Sequence, residues 1–162
     1  MTNPDDSALH ALQALSPLDG RYAPKLGALR TLMSESAFMK QRVRVEVEWL
    51  IALSDAGIDE LPAFSERARL ALRAIVQGFG AAQAMRIKAI EAQTNHDVKA
   101  IEYWLKEKAR DHPGVQKASE FIHFACTSED INNLAYALAV QGCRRAVLLD
   151  RKSTRLNSSH RT

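Results

Sequence analysis

Three short segments of this 162-residue chain gather side chains that hold anions and move protons. In SPLDGRY, Ser16 to Tyr22, Pro and Gly turn formers stand directly before Arg21 and Tyr22, a guanidinium fork beside a phenol. From a loop, Arg21 can grip a phosphate or carboxylate with two parallel bonds while Tyr22 offers a hydroxyl. In TNHDVKAIEYWLKEK, Thr94 and Asp97 bracket Asn95 and His96 with the [ST]-x-x-[DE] spacing of a helix capping box. The positive end of the following helix favours a neutral imidazole at His96, suited to donating a hydrogen bond or shuttling a proton. FIHFACTSEDINN, Phe121 to Asn133, repeats the box at Thr127, Ser128, Glu129 and Asp130 behind an aromatic approach. Two hydroxyls beside free backbone N–H groups make Thr127 and Ser128 a cradle for a carboxylate.

Each segment has a plainer reading. Arg21 and Tyr22 can be a surface ion pair with a packed phenol, and Asn95, Asp97, Thr127 and Ser128 can be caps and nothing more. His96 can simply meet solvent or core at a helix end, and His123, between Phe121 and Phe124, reads as a satisfied core histidine. Lys25 and Lys99 would add positive potential beside a polyanion. No HxxxH or paired Cys supports a metal site, and neither GxGxxG nor a phosphate-binding loop appears.

The elements that must carry these segments read as helices. After a polar stretch over residues 1–15, a helix is predicted from near Pro24 with Leu26, Leu29, Met33 and Ala37 as its apolar stripe. Residues 42–48 alternate charge and Val in the period of a strand. Helix is still predicted, because Arg42 with Glu46 and Arg44 with Glu48 fall at i,i+4, the flanks are strong helix formers, and Gly57 supplies a stop. Ser65 caps a further helix to about Gln77, Gly78 and Gly80 interrupt it, and another runs from about Ala82 to Ala92. Val98, Ile101, Leu105 and Ala109 mark the face of the next, closed by Pro113 and Gly114. Ile131, Leu134, Leu138 and then Val147 and Leu148 outline a long last helix. From about Arg151 the run RKSTRLNSSHRT has no apolar period; residues 151–162 resemble translated sequencing-adapter sequence and are predicted to be non-native.

Composition agrees with an all-α domain: 46% apolar, 25% charged, 6% aromatic and few Gly or Pro. The formal charge of +3 is misleading, because four of the 22 basic residues, Arg151, Lys152, Arg155 and Arg161, lie in the last twelve positions. The remainder holds 18 basic against 19 acidic residues, a net charge of −1, with signs interspersed. Nucleic-acid binding needs a basic stripe and is not predicted. Cys126 and Cys143 lack CxxC spacing, no apolar run approaches a membrane span, and the start MTNPDDSALHALQ is not a secretory leader. A cytoplasmic protein with two free thiols follows, Cys126 serving as packing.

In this order and at these intervals, SPLDGRY, TNHDVKAIEYWLKEK and EFIHFACTSEDINN closely resemble the N-terminal part of the bacterial adenylosuccinate lyases, in the fumarase/aspartase superfamily. The resemblance covers about Leu15 to Leu149. It implies that residues 16–150 are an all-α N-terminal lyase domain with the start of a long central helix bundle, truncated. It implies a homotetramer when full-length, with sites built from three subunits, and no cofactor or metal. The implied reaction is reversible elimination of fumarate from adenylosuccinate and from the succinyl-aminoimidazole carboxamide ribotide. Arg21 and Tyr22 would contact the nucleotide end, Asn95, His96 and Asp97 the substrate, and Thr127 and Ser128 the succinyl carboxylate. The family's base, a Ser on a mobile loop, and its acid, a His in a THGQ-like segment, are absent here, so the chain alone is predicted to be inactive. Another fumarate-releasing lyase, or a non-catalytic helical interaction module, are the alternatives.

Overall fold

A computed structural model describes residue 9 and residues 11–149, so the proposed non-native tail and most of the first ten residues lie outside the described part. The described chain is helical throughout, with no strand among the described residues. It divides into two units: residues up to Ser34 together with those from Cys143 on, and Glu35–Gly142.

In the first unit, residues 16–22 form the expected turn, in which Ser16 O accepts from both Asp19 N and Gly20 N at 3.0 Å. Pro24 does not open a long helix. It sits in a 3₁₀ turn, Ala23–Lys25, and the α-helix α1, Gly27–Met33, follows separately. The stripe drawn through Ala37 is cut at Ser34, whose ψ of 162° is extended. α1 buries none of its residues, so nothing offsets a break that Ser34 makes easy.

The second unit is built round α2, Glu35–Asp55, with α3, Glu66–Gln77, α4, Ala81–Thr94, and α5, Asp97–Ala109, packed against it. α2 buries eleven of its 21 residues, which explains its misleading alternation. A helix at this position is enclosed on most sides, so apolar residues are needed off the usual single stripe. Val43, Val47, Leu50 and Ile51 enter the main core, while Val45 meets Val98 and Ile131 in a smaller cluster. α2 ends before Gly57, which takes φ = 75°, a left-handed conformation that glycine adopts without strain.

The caps fall largely where the sequence puts them. Ser65 Oγ accepts from Ala68 N at 3.3 Å to start α3, and Gly78 ends it. α5 buries Val98, Ile101, Leu105 and Ala109 as expected, along with Trp104, whose ring meets that of Phe79 edge to face at 5.6 Å. After a short helix α6, Pro113–Gln116, and a 3₁₀ turn, Ser119–Phe121, comes α7, Ser128–Cys143, and then a π-helical stretch, Arg144–Leu149. α7 buries Ile131, Ala135 and Ala139 rather than the predicted Leu134, which is 56% exposed. Ile131 joins Val45 and Val98 in the smaller cluster, and Leu138 packs against it, so the buried line of α7 runs through Ile131, Ala135 and Ala139 and passes Leu134 by.

Candidate functional site

α4 and α5 are joined by only residues 95 and 96, and that tight turn shapes the first candidate segment. Asn95 takes φ = 50°, the left-handed conformation that Asn tolerates better than most residues. The capping box predicted at Thr94 and Asp97 is shifted. Thr94 is the last residue of α4, and His96 is the N-cap of α5, its Nδ1 accepting from Lys99 N at 3.2 Å. The packing of α4 on α5 needs the two-residue turn, so the helix start moves two positions on and an imidazole does the work of a hydroxyl. Asp97 then opens α5, with Oδ1 accepting from Val98 N at 2.8 Å.

The second box forms as predicted. Asp130 Oδ2 accepts from Thr127 N at 2.8 Å and from Thr127 Oγ1 at 2.9 Å, and Asp130 N donates back to Thr127 Oγ1 at 3.4 Å. The Thr127 N–H and hydroxyl hold the Asp130 carboxyl below the usual carboxylate range. The box also engages Thr127, leaving half-buried Ser128, whose hydroxyl has no partner among the described residues.

Arg42 ties the two segments together. Its guanidinium, with the side chain 10% exposed, gives Nη2 to Asp97 Oδ2 at 2.5 Å and Nε to Asn132 Oδ1 at 2.9 Å, and lies over the Phe38 ring at 4.4 Å. Asn132 is one helical turn beyond Ser128 on α7. Burial pushes the Asp97 carboxyl up, but the Val98 N–H, the Arg42 charge and hydrogen bond, and nearby His96 outweigh it, so the group lies below its ordinary value. Asp97 thus has both oxygens engaged within the protein.

One turn along α2, Glu46 enters the core with its side chain wholly buried, and its Oε1 meets His123 Nδ1 at 2.7 Å. Burial raises the Glu46 carboxyl, and the His123 hydrogen bond and charge oppose that. His123 is therefore the satisfied histidine expected from sequence, but its partner is a buried carboxylate and its φ is 65°. Ala125 is also left-handed, at φ = 58°, so strained backbone flanks the approach to Thr127 and Ser128. The anticipated i,i+4 pairs on α2 give way to partners on other elements. Arg42 goes to Asp97, Glu46 to His123, and Glu48 to Arg73 by two bonds of 2.9 Å. Arg42 and Glu46 are the site residues that sequence reasoning missed; their one signal was opposite charges within a Val-rich helix.

Arg21 and Tyr22 lie in the first unit and are exposed. The Arg21 guanidinium hydrogen-bonds the Tyr22 hydroxyl and lies 4.6 Å from its ring centroid. Lys99 is half-buried and bound to Glu102 at 2.7 Å, so its charge is spent locally. Cys126 packs against the small cluster of Val45, Val98 and Ile131, and its thiol is raised, first by burial and then by the charges of Glu46 and Asp130. Among the described residues no group of three His, Cys, Asp or Glu is placed to hold a metal ion, and no helix is long and apolar enough to cross a membrane. A cleft of about 630 Å³, with Val45, Trp49, Cys126, Ile131, Leu134 and Leu138 in its walls, contains none of the seven candidates.

The chain is similar to adenylosuccinate lyases. It is 56% identical over 142 residues to that of Haemophilus influenzae and 54% identical over 142 residues to that of Escherichia coli K12, each match covering 87% of this chain and 31% of the relative. Against the adenylosuccinate lyase of Legionella pneumophila strain Corby the identity is 48% over 134 residues, 82% of this chain and 29% of the relative. The chain therefore spans about a third of the length of these relatives. Residues 20–158 match the model of the lyase family, and the chain belongs to that family.

Proposed function

We propose that this chain supplies part of the substrate site of an adenylosuccinate lyase. That enzyme would release fumarate reversibly from adenylosuccinate, leaving AMP, and from the succinyl-aminoimidazole carboxamide ribotide, in purine synthesis. The observation that carries the reading is the Arg42 tie, because it draws the Asn95–His96–Asp97 turn and the start of α7 onto one guanidinium. The identity to adenylosuccinate lyases over 87% of the chain supports the choice of substrate.

In the reaction, a base removes the proton from the carbon next to a succinyl carboxylate. The electron pair left behind becomes the second bond of fumarate as the C–N bond breaks, and an acid protonates the departing nitrogen. Charge builds on the carboxylate, and donors already aimed at it lower the barrier. Asn95, His96 and Ser128 are the groups free to do this, with Thr127 and Asp97 holding them in place. Arg21 and Tyr22 would grip the nucleotide end. The general acid and base would come from the part of the enzyme that this chain does not span. A homotetramer, a cytoplasmic location and chemistry needing no cofactor complete the proposal.

The test is substrate profiling of a full-length version. Fumarate released from adenylosuccinate, but not from argininosuccinate, aspartate or malate, is expected. Preference for any of the other three would overturn the assignment.

A further inference from the structure

Residues 123–125 turn the chain into the start of α7 through unfavourable backbone. His123 and Ala125 take left-handed φ values of 65° and 58°, which residues with a Cβ keep only when their surroundings hold them there. Within the kink, Cys126 N donates to His123 O at 3.3 Å, a long bond. α2 grips the kink from outside. Glu46 Oε1 meets His123 Nδ1 at 2.7 Å, Trp49 Nε1 donates to Phe124 O at 2.8 Å, and Val45 belongs to the small cluster on which Cys126 packs. Glu46 and Trp49 are three residues apart, so they share one face of the helix. Thr127 and Ser128 follow directly, so the pose of the kink sets where their hydroxyls point.

For stability alone, Glu46 is a poor choice. Its side chain is wholly buried, and its second oxygen, Oε2, has no hydrogen-bond partner among the described residues. Desolvating an acceptor in this way is unfavourable, and an apolar side chain of similar size would suit the core better. What the carboxyl alone provides is the hold on His123. We propose that Glu46 and Trp49 are positioning residues, which clamp the His123–Ala125 kink in the pose that turns Thr127 and Ser128 toward the ligand carboxylate. Neither needs to touch the ligand. The carboxylate rests on the function proposed above; the clamp does not.

Two measurements test this. In this chain, amide hydrogen exchange at Thr127 N, which donates to Asp130 Oδ2 at 2.8 Å, reads the kink without any reaction. Trp49→Phe keeps a ring but loses the bond to Phe124 O, and exchange should quicken about two- to tenfold, the worth of one neutral hydrogen bond. Adding Ala125→Gly should reverse most of that, because glycine takes φ = 58° without strain although it restores no bond. Exchange unchanged in Trp49→Phe, or quickened and not reversed by glycine, overturns the clamp. In a full-length version, Glu46→Met fills the space without a polar group, whereas Glu46→Gln keeps an amide that can partner either state of the His123 nitrogen. Glu46→Met should melt no lower than the parent yet lose about tenfold or more in kcat/KM for adenylosuccinate, with kcat carrying the fall, because the hydroxyls answer charge that builds during the reaction. Glu46→Gln should stay within a few-fold of the parent, and Trp49→Phe should lose activity that Ala125→Gly restores. Parental kcat/KM in both Glu46→Met and Trp49→Phe, or losses that only follow the melting temperature, overturn the positioning role. A parent inactive on adenylosuccinate would sink the proposed function instead and leave the exchange result to decide the clamp.

Discussion

At the scale of single residues, α2 sends two opposite charges inward, and each has a definite consequence. Arg42→Met keeps much of the stem packing over Phe38 but strips Asp97 and Asn132 of their donor. Urea denaturation should show a loss of about 1.5–3 kcal/mol, the range for hydrogen bonds to charged groups. In a full-length version kcat/KM should fall more than stability alone explains, and Arg42→Lys should restore only part of it, because one ammonium cannot serve both acceptors in the plane a guanidinium provides.

The carboxylates predict pH effects of opposite sign. Glu46 has its proton affinity raised by burial, so the folded state holds that proton more tightly than the unfolded chain does. Its contribution is present in full below the ordinary value of 4.5 and is lost as pH rises through the folded value. Asp97 lies below its ordinary value of 3.8, so its contribution is present above that value and is lost as pH falls through the folded one. Equilibrium unfolding followed against pH should therefore show Glu46→Gln flattening the decline above 4.5 and Asp97→Asn flattening the acid limb below 3.8. Slopes unchanged in both variants would refute the assignment.

At the scale of elements, the site depends on where helices start and stop. Ser65→Ala removes the α3 cap and should cost about 1 kcal/mol in thermal unfolding. Asn95 separates conformation from chemistry: Asn95→Gly accepts φ = 50° and should leave stability nearly unchanged, while Asn95→Ala should cost about 1 kcal/mol. Both should lower the affinity of a full-length version for substrate.

Elements were legible where local signals and packing agree. Ser65, Gly57, the α5 face and the Thr127–Asp130 box all read correctly. Thr94 misled because its spacing to Asp97 also fits a box, yet the two-residue link between α4 and α5 handed the cap to His96. Arg42 and Glu46 misled because i,i+4 spacing allows a pair without requiring one. Their true partners, Asp97 and His123, are 55 and 77 residues away, a separation no local pattern encodes. Leu134 misled because the buried line of α7 runs through Ile131, Ala135 and Ala139, at i+4 spacing, and leaves the leucine on the exposed side.

At the scale of the whole molecule, the chain joins a well-packed core to an uncovered apolar surface. Trp104, 1% exposed at the centre, should cost about 3–5 kcal/mol on substitution by Ala. On α7, Leu134, Tyr136 and Val140 are each more than half exposed, and the apolar cleft of about 630 Å³ includes Leu134 in its wall. Surface of this kind binds hydrophobic dyes and promotes association. Leu134→Gln with Val140→Thr should lower anilinonaphthalene sulfonate fluorescence and raise solubility, without shifting the melting temperature of the core.

The central claim is that the start of α7 holds a reacting succinyl group, and Ser128→Ala in a full-length version tests it most directly. Ser128 Oγ has no partner among the described residues, so its loss removes little from the fold. The account predicts an unchanged melting temperature and a fall in kcat/KM for adenylosuccinate of about 10² or more, the scale seen when one donor to a developing negative charge is removed. Full turnover with only a shifted melting temperature would mean that this helix start is a cap and nothing else.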